Sequence, residues 1–202
     1  MRHVTPRFRL LLSGLLLIIP LAAAAEPLPT VEALKDRIMG DPKAPVTMIE
    51  YASLSCPHCA DFHAKTLPKI KEHFIDTGKA KLIFRDYPFD GPSFAAAMVA
   101  RCAPPQRYFQ FVSVLFENQE LWSHSPNPRE GLARIAKLGG MTQDDFDHCV
   151  DNRSLYEGLR QREIEAERQY GIQSTPTFII GDKIIVGAQP YEVFEKALNG
   201  AK

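Results

Sequence analysis

The stretch Tyr51–His63, YASLSCPHCADFH, holds two cysteines three positions apart, with Pro57 and His58 between them. Such a C-x-x-C pair fits three chemistries: half of a metal site, a small staple, or a reversible dithiol. The flanking residues narrow the choice. Upstream, PVTMIEYASL is rich in β-branched and aromatic residues and reads as a buried strand. Downstream, HCADFHAKTLPKIKEHFIDTG places Phe62, Leu67, Ile70 and Phe74 at helical spacing until Gly78 ends the run. Pro57 suits a first helical turn, where its missing N–H is no loss. Pro68, inside the run, predicts a kink. Cys56 therefore stands at a strand-to-helix junction, facing unpaired N–H groups and the positive end of the helix dipole. Both favour a thiolate over a thiol, so Cys56 is expected to titrate below the free value of ~8.5. His58 adds a cation or an N–H donor close by. Cys59 lies one turn further in, on the same face, as the resolving thiol. A stable thiolate favours the reduced form and leaves a mixed disulfide easily, so the pair reads as an oxidant.

The other two chemistries fit less well. Zinc takes about four ligands, usually as two close pairs. His58 and His63 are near, but Cys102 and Cys149 are not spaced as a second pair. A ring closed by Cys56 and Cys59 alone is too small to stabilise much. No metal or cofactor is expected.

The 202-residue chain opens with a basic start, Arg2, Arg7 and Arg9, an apolar run Leu10–Leu21, and Ala23-Ala24-Ala25 before Glu26. This reads as an export signal cleaved after residue 25; an uncleaved anchor is the alternative, and the apolar run is short for a bilayer span. Without residues 1–25 the chain keeps all 24 acidic residues and loses three of its 24 basic ones, a net charge of −3. That near-balance argues against nucleic acid as a partner. The remainder suffices for one domain with its own core.

The order of elements then reads as follows. Residues 26–44, rich in proline, form a lead-in with one short helix. Residues 45–91 hold strand, helix and a second strand, KAKLIFRDYPF. Residues 92–170 carry no convincing strand and several helical stretches, including TQDDFDHCV with Thr142 as its N-cap. Residues 171–202 return to strands: TFII, a Gly181-Asp182 turn and KIIVG form a hairpin before a closing helix, YEVFEKAL. This is an α/β frame with a helical insertion between the second strand and the Thr175-Pro176 strand.

Several residues keep two readings. Glu50 is either a carboxylate among apolar neighbours that relays protons to Cys59, or a glutamate at a sheet edge. Pro176 either opens a strand, where proline is tolerated, or follows a cis bond. Cys102 and Cys149, each on an apolar helical face, are best read as a structural bridge; two separately buried thiols are the alternative. Trp122 and the Phe-rich YFQFVSVLF read as core, and His124 and His148 receive no role.

From about Pro45 to the C-terminus, EYASLSCPHCADFH, the helical insertion and STPTFIIGD together resemble the DsbA family of thioredoxin-fold oxidoreductases, in wording closest to its alphaproteobacterial branch. The resemblance implies a donor of disulfides to newly exported proteins in a bacterial periplasm, reoxidised by a quinone-linked membrane protein and working as a monomer. It implies an exposed nucleophile at Cys56, a buried partner at Cys59, and thiolate stabilisation by His58. It implies that Thr175 and a cis Pro176 lie against the pair and offer backbone to an extended substrate segment. It makes Glu50 the buried acid before the motif, and Cys102 and Cys149 a second, structural bridge. Two rival functions stand beside this one: a disulfide isomerase or reductase of the same fold, and a non-catalytic peptide-binding holdase.

Overall fold

The computed structural model describes Met1 and residues 28–201. The export signal read at residues 1–25 lies, apart from Met1, outside the described residues.

A short helix α1 (Thr30–Ala33) leads into strand β1 (Arg37–Met39) and then β2 (Val46–Ala52). Helices α2 (Pro57–Lys65) and α3 (Leu67–Ile70) follow, continued by a wide π-type turn, Lys71–Ile75. The break at Thr66 follows from Pro68, which has no N–H for the preceding turn. Gly78, with φ +72°, ends the run by a backbone conformation that suits glycine. Strand β3 (Ala80–Asp86) completes the β-α-β unit and pairs in parallel with β2.

The insertion holds α4 (Gly91–Cys102), α5 (Tyr108–Glu117), α6 (Gln119–Trp122), α7 (Pro128–Leu138), α8 (Gln143–Val150) and α9 (Arg153–Tyr170). Its starts are written in the sequence. Asp90 and Ser93 form a reciprocal capping box on α4, and Thr142 and Asp145 do the same on α8. Ala96, Ala97, Val99 and Ala100 are buried along α4. These small side chains let α5, α7, α8 and α9 pack around it. Trp122 is fully buried, and its indole N–H donates to the Leu115 carbonyl at 3.0 Å. Gly131 is required where α7 meets α6: a Cβ there would collide with the Leu121 carbonyl. Cys102 and Cys149 are joined, with an S–S distance of 2.05 Å, and tie the end of α4 to α8.

The chain returns through β4 (Thr177–Ile180) and β5 (Lys183–Val186) to α10 (Tyr191–Gly200). The five strands run in the order β1-β3-β2-β4-β5. β2 is therefore central, between parallel β3 and antiparallel β4. On one face of the sheet Met48, Leu82, Phe178 and Ile180 pack on α2, α3 and α10, where Phe62, Phe178 and Phe194 meet at 4.4–5.2 Å between centroids, and Ala52 and Phe84 of that same face meet the insertion; on the other face Tyr51 and Ile179 pack with Ala166 of α9. This is the α/β frame with a helical insertion that the sequence suggests. One correction concerns the lead-in. Residues 26–44 hold not only a helix but also β1, antiparallel to β3 at the sheet edge. Among the described residues no helix is long and apolar enough to cross a membrane.

Candidate active site

β2 ends at Ala52, and the chain turns through Ser53, Leu54 and Ser55 into α2. The Cys56 N–H closes this turn on the Ser53 carbonyl at 3.1 Å. Cys56 is the N-cap of α2, with Pro57 in its first turn. The cap residue's side chain thus faces the free N–H groups of the helix start.

The Cys56 thiol is held down to about 5 from an ordinary 9.0. The chief cause is a hydrogen bond from the Cys59 thiol. Burial works in the opposite direction, and a hydrogen bond from the Thr175 side chain with the backbone N–H groups of Cys59 and His58 adds to the lowering. Cys59, fully buried, is pushed the other way, first by burial and then by the adjacent Cys56 and the charge of Glu50. Two sulfurs one turn apart are thus split into an acid that ionises readily and one that keeps its proton.

The cis Thr175–Pro176 bond lies against the pair. The Cys56 Sγ is 3.4 Å from the Thr175 carbonyl oxygen, a bond that only the thiol can donate. The exposed Cys56 that the family resemblance implies is not found: only 5 % of the residue is accessible. The Thr175 backbone at its side gives part of the cover. His58 is exposed at the surface of α2. It reaches the thiolate through its backbone N–H.

Glu50 is fully buried in β2. Its register partners are Phe84 on β3 and Phe178 on β4. The sheet-edge reading of Glu50 is therefore wrong, because β2 is the central strand. The carboxylate meets the imidazole of His63, with Nε2 at 3.0 Å from Oε1 and 3.1 Å from Oε2. His63 stands four residues after Cys59, so helical periodicity puts both on one face.

Gln119 of the insertion and Asp90, the N-cap just before it, hold the loop before Cys56. The Gln119 Nε2 donates to the carbonyls of Leu54 at 2.6 Å and Cys56 at 3.0 Å. The Asp90 carboxylate, which also caps α4, accepts from the Ser55 hydroxyl at 2.8 Å. Neither residue stands out in the sequence, since a side chain that binds a distant carbonyl leaves no local pattern. His63 had a visible signal, its spacing from Cys59 within C-x-x-C-x-x-x-H. The bridged Cys102 and Cys149 lie within the insertion, apart from this pair.

A thioredoxin family model matches residues 32–200. A protein of Rickettsia typhi named as a putative protein-disulfide oxidoreductase is 30% identical over 146 residues, covering 72% of this chain and 54% of that protein. The chain spans about half the length of the curated Rickettsia relatives it matches. The crystal structure of Wolbachia pipientis alpha-DsbA1 superposes with a TM-score of 0.77 at 34% identity, covering 87% of this chain and 92% of that one. Oxidised BdbD from Bacillus subtilis gives 0.69 at 26% identity, with 88% and 98% covered. With the paired cysteines at the start of α2, the cis Thr175–Pro176 bond beside them and a helical block set into the sheet, the chain belongs to the thioredoxin family, in its DsbA branch.

Proposed function

We propose that this protein is a thiol:disulfide oxidoreductase that donates the Cys56–Cys59 disulfide to exported proteins in a bacterial periplasm. The observation that carries the reading is the split between the two sulfurs: Cys56 ionises at about 5, while Cys59 beneath it stays protonated. In the oxidised protein a substrate thiolate attacks the Cys56 sulfur, and the Cys56–Cys59 bond breaks with its electron pair on Cys59. A second substrate thiolate then attacks the substrate sulfur of the mixed disulfide, and Cys56 departs as the stabilised thiolate. The thiolate is the better leaving group, so the substrate keeps the disulfide. Thr175 and Pro176 stand where an extended substrate segment would meet Cys56.

The names carried by the Rickettsia and Wolbachia relatives support the chemistry. The amino-terminal pattern of residues 1–25 supports export. In this reading a quinone-linked membrane protein restores the disulfide, the working form is a monomer, and Cys102–Cys149 is a structural bridge. The test is equilibration of the Cys56–Cys59 pair with glutathione buffers. A potential near the strongly oxidising end, about −120 mV, is the expected result; one near about −270 mV makes the protein a reductant and overturns the assignment.

A further inference from the structure

The loop 171–176, between α9 and β4, brings Thr175 to the Cys56 sulfur. It opens on Gly171, with φ +65°, and ends on the cis Thr175–Pro176 bond. It is neither helix nor strand, so its carbonyls need donors from elsewhere. The Ile172 carbonyl accepts from the Tyr87 hydroxyl at 2.9 Å. The Ser174 carbonyl accepts from the Thr177 hydroxyl at 2.7 Å, and the Pro176 carbonyl from the Gly187 N–H at 2.8 Å. Tyr87 differs from the other two donors because it reaches both halves of the site. It stands one residue past β3, and its N–H donates to the Ala52 carbonyl at 2.8 Å. Ala52 ends β2, four residues before Cys56, and Ile172 lies three before Thr175. The direct ladder between β2 and β4 stops short of both, at Tyr51 and Thr177. The Tyr87 ring is buried with Tyr51, Ala166, Ile172 and Ile179, which fixes the direction of its hydroxyl. Burial, with Glu163 and Glu167 adding to it, raises the titration point of that hydroxyl, so it remains a donor.

We propose that Tyr87 is a positioning residue for disulfide transfer: its N–H holds the strand that delivers Cys56, its hydroxyl holds the loop that delivers Thr175, and together they fix the separation of the two. The proposal rests on the oxidase reading and adds to it the residue that sets the gap a substrate segment must fit. A peptide whose thiolate attacks the Cys56 sulfur brings its backbone against Thr175 and Pro176. Its sulfur is aligned for attack only while that loop keeps its place. A small dithiol has no backbone to align and meets the Cys56 sulfur alone. The hydroxyl of Tyr87 therefore matters to a polypeptide substrate and not to a small one.

The experiment follows single-turnover oxidation of two reductants, a dithiol peptide and dithiothreitol, by the full oxidised chain. Tyr87→Phe keeps the ring and the N–H and removes only the hydroxyl. Its rate with the peptide is expected to fall about fivefold, the scale of one hydrogen bond, while its rate with dithiothreitol stays that of wild type. Thr177→Val removes the bond to the Ser174 carbonyl of the same loop and should show the same selective loss. Tyr108→Phe is the control: it deletes another buried hydroxyl, one that meets the Asp86 carboxylate, and should leave both rates unchanged. Circular dichroism shows whether each variant is folded at the assay temperature. Rates that fall together for the two reductants, or do not fall, in folded Tyr87→Phe overturn the proposal and leave the oxidase reading intact. An equal selective loss in Tyr108→Phe overturns it as well, by making the effect one of general loosening. A Tyr87→Phe chain that does not fold assigns the hydroxyl to the core and likewise overturns the positioning role. Failure of the wild-type protein to oxidise either reductant overturns the oxidase reading instead.

Discussion

The chain places two cysteine pairs in one fold and gives them opposite fates. Cys56 and Cys59 stand one helical turn apart, close almost no loop, and differ widely in acidity. Cys102 and Cys149 are 47 positions apart, sit on two helices of the insertion, and are bonded. The contrast teaches what makes a disulfide reactive. A bridge over a long loop removes conformational freedom from the unfolded chain and stabilises the fold. A bridge over two residues gains little there. Its balance is then set by how well the surroundings stabilise the reduced sulfur. At Cys56 those surroundings are the Cys59 thiol, Thr175 and the start of α2.

The largest effect separates the pairs by activity. Cys56→Ser is expected to abolish disulfide transfer to a reduced protein substrate, whereas the Cys102→Ala/Cys149→Ala double variant retains it. Transfer by Cys56→Ser, or its loss in the double variant, would merge the two roles. Next comes stability. The double variant should unfold with a loss of up to about 4 kcal/mol in the chain-entropy model, read from denaturant midpoints of the fully oxidised proteins.

The third effect is a pH slope. The low Cys56 titration point stabilises the reduced fold against its unfolded chain. That contribution is absent below about 5, grows as pH rises towards 9.0, and is complete above it. Cys59 stays protonated in the fold across this window and opposes the trend only as pH nears 9.0, where the unfolded chain begins to ionise it. The melting temperature of the reduced form should therefore gain on that of the oxidised form between these limits, and a constant difference in paired thermal melts would refute the thiolate account. The smallest effect ranks the causes. Cys59→Ala should raise the Cys56 titration point more than His58→Ser does, because the Cys59 hydrogen bond is the leading influence and His58 acts through its backbone. Thiolate absorbance against pH gives both values, and the reverse order would return the main role to the imidazole.

Much of this was legible in the residues. The apolar strand before Cys56, Pro57 in the first turn, Pro68 in the helix and the Gly181-Asp182 turn each carry a local rule, and each marks a feature of the fold. Thr142 identified its own helix start in the same way. β1 was not legible. It has three residues, one of them the buried Arg37, and is a strand only because β3 lies beside it. The central placement of Glu50 was equally hidden, since pairing on both sides of β2 is decided by β3 and β4. Gln119 escaped for a further reason: its partners are main-chain carbonyls 65 and 63 positions away. Side-chain chemistry repeats in sequence; an amide reaching a remote carbonyl does not.

Gln119 and Asp90 also bear on any attempt to miniaturise the protein. A shortened chain that joined β3 directly to β4 would keep every letter of C-P-H-C and lose the wall behind it. The carbonyls of Leu54 and Cys56 would lack their amide donor, and Ser55 its carboxylate. A working graft must bring one amide and one acid along with the motif.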